Sequence, residues 1–61
     1  MKPVRIGTIL YHGGGSQFGH GTVRVEAIGA DWVVARDGNG VPWLANYPPE
    51  WFEQYTEKDE D

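Results

Sequence analysis

Sixty-one residues without a cysteine, at a formal net charge of −4, exclude a disulfide-stapled scaffold. They allow one small core, since a chain this short buries only about 60% of the surface its unfolded form exposes. Three Trp, three Tyr and two Phe make aromatic packing the means by which such a core holds.

The first predicted strand is Val4 to Tyr11, with Val4, Ile6, Thr8 and Leu10 on the face expected to be buried. Residues 13–21 hold five glycines in nine positions, too permissive for helix or strand, and are expected to form a loop. His12 and His20 bracket this loop, but two imidazoles without a third ligand do not make a zinc site. Gly13 to Gly15 lack the Lys-Ser/Thr and the helix of a phosphate loop. Phe18 in the middle of the loop either folds back onto the domain or stands out as a binding anchor. A second strand is expected over Thr22 to Ile28, alternating Val23, Val25 and Ala27 against Thr22, Arg24 and Glu26, with Gly29-Ala30 turning to the third.

Asp31 to Tyr47 reads as a β-hairpin, with Trp32-Val33-Val34 and Val41 to Leu44 flanking the turn sequence Asp37-Gly38-Asn39-Gly40. A two-residue loop, either Gly38-Asn39 or Asn39-Gly40, puts Trp32, Val34, Arg36, Val41, Trp43 and Ala45 on one face. It puts Asp31, Val33, Ala35, Pro42, Leu44 and Asn46 on the other. Val33, Ala35 and Leu44 are expected inside, and Trp32 and Trp43 at least partly outside. Pro48-Pro49 ends the strands, and Pro49, Glu50, Trp51, Phe52 and Tyr55 suit a short helical turn that plugs one end of the fold.

Charge is segregated along the chain. Residues 1–36 carry four cations against two acids, and residues 37–61 carry seven acids against one cation. That balance suits a basic partner better than a phosphate backbone, whose non-specific affinity grows with the number of phosphates neutralised. The domain is expected over 1–56 and an acidic, disordered tail over 57–61. No apolar run approaches signal-peptide length or the roughly 20 residues of a membrane span, so the expectation is a soluble, cytoplasmic protein.

The segment from Gly15 to Val23, followed by Ile28 and Trp32-Val33-Val34, is similar to the spaced glycines and apolar positions of KOW and Tudor-type barrels. Asp31-Trp32, Ala35-Arg36, Gly40-Val41-Pro42 and Asn46-Tyr47 resemble the marks of proline-peptide-binding Src-homology-3 domains. These resemblances imply an all-β fold: a small antiparallel Src-homology-3-like barrel of four to five strands with a short C-terminal helical turn. The second implies that Trp32, Pro42 and Tyr47 line a peptide groove. Trp43, Leu44 and Ala45 stand between Pro42 and Asn46, however, where that family has a single residue.

With no evident nucleophile and base pair, metal set or cofactor loop, the functional expectation is a non-enzymatic protein-protein interaction module without cofactor or metal. Its size also suits a small regulator or inhibitor of the phage type. The partner is another protein or a second copy in a homo-oligomer, met by Trp32, Trp43, Phe18, Arg36, Pro42 and Tyr47. The alternative is a nucleic-acid-binding barrel that uses Arg5, Arg24 and Arg36 for phosphates.

Overall fold

The computed structural model describes residues 2–58, so positions 59–61 of the expected tail lie outside the described residues. The chain forms one four-stranded antiparallel sheet in the order β1-β2-β3-β4. The strands are β1 (Ile9–Leu10), β2 (Val23–Ile28), β3 (Val33–Arg36) and β4 (Pro42–Ala45), with a helical turn at His12–Ser16 and a 3-10 helix at Pro49–Tyr55. The small, mostly-β architecture and the helical turn after Pro48 match the sequence expectation. Among the described residues no helix is long and apolar enough to cross a membrane.

The first strand is much shorter than expected. The Thr8 amide donates to the Arg5 carbonyl at 3.0 Å, the Arg5 amide donates to Thr8 Oγ1 at 2.9 Å, and Gly7 at φ +96° closes this turn. Ile6 is therefore turned out, at 73% exposure, instead of joining Leu10 in the core. The turn lies against β2, for the Gly7 amide donates to the Val25 carbonyl and the Val25 amide to Thr8.

The glycine run is ordered, which corrects the expected loop. His12, Gly13, Gly14, Gly15 and Ser16 all have φ between +58° and +75°, a left-handed helical turn. Each L-residue with a side chain costs roughly 1–2 kcal/mol in that conformation, so glycine at three of the five positions makes the turn affordable. The Gly13 carbonyl accepts the amides of Gln17 and Phe18. Close packing also demands glycine here, since a methyl group at Gly14 would sit 2.7 Å from the Phe18 ring and one at Gly15 would sit 2.5 Å from the Tyr55 hydroxyl.

In β2, Val25 pairs with Ala35 and Ala27 with Val34, leaving Glu26 as the extra residue of a β-bulge. The bulge resets the alternation: Val23 and Val25 are buried, and beyond it Ile28 packs on the core opposite Val33.

The β3–β4 hairpin has a three-residue loop and not a two-residue one. Arg36 pairs with Pro42 and Ala35 with Trp43, the Asp37 amide donates to Val41 and the Gly40 amide donates to Asp37. This is a tight turn followed by a left-handed residue, Gly40 at φ +79°, the usual build of a three-residue hairpin. The odd loop shifts β4 by one place, and a one-place shift exchanges the faces of a strand. Leu44, expected inside, is 59% exposed opposite Val34, and Trp43 shares a row with buried Ala35.

Leu10, Phe18, Val23, Val25, Val33, Ala35, Ala45 and Phe52 form the core, with Val4, Ile28, Trp51 and Tyr55 packed against it. The 3-10 helix inserts Phe52, whose ring centre lies 5.1 Å from that of Phe18. The end of that helix also meets β1, because the Tyr11 amide donates to the Tyr55 carbonyl at 2.8 Å. Val33 and Ala35 are inside as expected. Phe18 is fully buried, which corrects its placement as an exposed anchor: among glycines that tolerate a left-handed turn, its ring folds back onto Gly14 and Phe52.

Candidate functional site

One face of the sheet packs on the core, and the other presents a surface built row by row across the strands. The first row runs Ile9, Arg24, Arg36, Pro42, and the second runs Ala27, Val34, Leu44. Trp32 precedes inward-facing Val33 and so belongs to the outer side, half-buried, with its indole laid against Gly29 where any side chain would collide. Ile6, carried by the Arg5–Thr8 turn, borders the same face beside Arg24, Glu26 and Arg36.

Charge on this face is arranged around Arg36. Its Nε donates to Glu26 Oε1 at 2.6 Å and its Nη1 to the Gly40 carbonyl at 2.6 Å. With both side chains nearly half exposed, such an ion pair adds at most about 1 kcal/mol. Its main effect is to fix where the guanidinium points. Two shallow clefts flank Arg24 and Arg36. One, of about 320 Å³, opens between Thr22–Arg24 and Arg36–Gly40. The other, of about 240 Å³, is lined by Ile6, Gly7, Val25 and Glu26 together with the two arginines.

The hairpin tip is tied by Asp37. Its Oδ1 accepts the amides of Asn39 at 2.8 Å and Val41 at 3.0 Å, and its Oδ2 accepts the Trp43 indole N–H at 3.0 Å. The Trp43 bond first, then that from the Val41 backbone, with a lesser one from Asn39, hold this carboxyl below its ordinary pKa against the opposing effect of desolvation.

The expected site residues do not form one patch. Trp32, Arg36 and Pro42 reach the outer face, as does Arg24. Trp43 lies on the core-side row at the rim, 40% exposed, with its ring over Gly19. Tyr47 stacks on Trp51 at 4.8 Å between ring centres, so it belongs to the aromatic group of the 3-10 helix and is not brought to Pro42. Arg5 sits exposed in the turn before β1. Residues overlooked in the sequence are Ile6, Val34 and Leu44. The signal for Leu44 was present, because Gly40 at the end of the turn sequence fits the left-handed position of a three-residue loop.

Among the described residues no group of three or more His, Cys, Asp or Glu could hold a metal ion. Comparison with family models, with curated proteins and with solved structures finds no match to this chain.

Proposed function

We propose that this protein is a non-enzymatic, cytoplasmic interaction module that binds another protein through the outer face of its sheet. The observation that carries this reading is the pairing of exposed Ile6 and Leu44 with Val34 and Trp32 on one face, beside a fixed Arg36–Glu26 pair. Apolar side chains beside fixed charges on one surface are how protein interfaces are built. A small module of this kind suits a regulator or inhibitor that blocks the protein it covers. The consecutive antiparallel strands and the terminal 3-10 helix support the Src-homology-3-like barrel class. The nucleic-acid reading has less support, because Arg36 is engaged by Glu26 and Asp37 adds a second carboxylate beside the arginines.

The test compares three baits in pull-downs from native lysate: the unaltered chain, Leu44→Asp and Trp43→Ala. A partner retained by the unaltered chain and by Trp43→Ala but lost from Leu44→Asp supports the outer face. Loss from Trp43→Ala alone would move the interface to the hairpin rim and refute the proposal.

A further inference from the structure

Arg24 and Arg36 stand directly opposite each other on β2 and β3, an arrangement in which like charges repel. Arg36 is neutralised by Glu26 and anchored on Gly40. Among the described residues the Arg24 side chain has no hydrogen-bond or ion-pair partner. One guanidinium without an ion-pair partner is thus left on the ridge between the two clefts, with the exposed Ile6 side chain and Gly7 on one side.

We infer that this face takes an extended segment of a partner protein in which an Asp or Glu side chain adjoins an aliphatic one. The carboxylate pairs with the Arg24 guanidinium, for which a bidentate contact is the strongest geometry, and the aliphatic side chain enters the cleft beside Ile6. The inference rests on the docking reading above and narrows its partner to an acidic, partly apolar segment. The basic partner suggested by net charge gives way, because the surplus acids gather from residue 37 onward while the cleft beside Ile6 is lined by two arginines against Glu26 alone. A nucleic acid fits less well: its phosphates repeat closely along the strand, and a second phosphate here would meet Glu26 or Asp37. A lone carboxylate beside an aliphatic group meets neither.

The test is selection of a random dodecapeptide display library on the full chain, followed by titration of the enriched peptides. The expected winners carry Asp or Glu next to Leu, Ile or Val. Arg24→Gln should weaken them by about tenfold, the scale of one charge-assisted contact, and Arg24→Glu should abolish binding. Arg24 is exposed and faces a like charge in Arg36, so neither variant should melt below the parent. Winners without an acidic residue that bind Arg24→Gln normally yet fail on Leu44→Asp overturn the inference and leave the docking face standing. Winners indifferent to both substitutions, or no winners, overturn both readings. Tight binding of oligothymidine that Arg24→Gln weakens would give the site to nucleic acid. Self-association lost in Leu44→Asp, with no peptide enriched, would give the face to a second copy, and either result refutes the acidic segment.

Discussion

At Asp37 one carboxylate closes the hairpin loop and holds the Trp43 indole. Because these bonds favour the charged form, its folded pKa lies below the unfolded one. The stabilisation is therefore fully present above the ordinary carboxylate pKa of about 4 and is lost as pH falls through the lowered folded value. Asp37→Asn should melt below the parent at neutral pH, and the gap should close as pH falls below the ordinary carboxylate range. Melting curves followed by Trp fluorescence across that range check this, and a gap independent of pH would contradict it. Glycine identity is equally position-specific. Gly14→Ala meets both a left-handed backbone and the Phe18 ring, so it should cost roughly 2–5 kcal/mol. Gly38→Ala has open space around it and an ordinary φ, and chemical denaturation should find it within about 0.5 kcal/mol of the parent.

The elements were legible in the sequence where alternation is long. β2 and the hairpin were placed within a residue or two, and the 3-10 helix was marked by Pro48-Pro49 and its aromatic spacing. Register was not legible, because Asp37-Gly38-Asn39-Gly40 contains two dipeptides that each suit a two-residue turn, while the chain uses a three-residue one. That single place decided whether Leu44 or Trp43 faced the core. The first strand failed for a different reason: Val4 to Leu10 alternates as a strand should, yet Gly7 is free to turn and the Thr8 hydroxyl rewards it with a bond. The candidate site inherited both errors, since Ile6 and Leu44 are the residues those two turns expose. Nothing in the sequence marks Glu26 as a bulge, so its pairing with Arg36 became visible only in three dimensions.

For the whole molecule, stability of roughly 0.05–0.15 kcal/mol per residue puts this chain at about 3–9 kcal/mol. Truncating a buried Phe costs about 3–5 kcal/mol, a large share of that total. Phe52→Ala should therefore leave the chain largely unfolded, whereas Leu44→Asp, on the open face, should preserve the fold. Dispersion of the amide NMR signals separates the two, and a well-dispersed Phe52→Ala spectrum would mean that the core does not depend on the 3-10 helix. The aromatic group explains how so few residues suffice: Phe18, Phe52, Trp51, Tyr47 and Tyr55 are joined by ring contacts no longer than 6.2 Å between centres.

The turn at His12–Ser16 has its own consequence for chirality. Its backbone is the mirror image of an ordinary helical turn, so a D-amino acid is at home there and an L-amino acid is the misfit. Ser16 is exposed at φ +71°. A chemically synthesised chain carrying D-serine at that one position should be more stable than the all-L protein by about 1–2 kcal/mol, measured by thermal melting of the two epimers side by side. For five residues, this protein is built for the other hand.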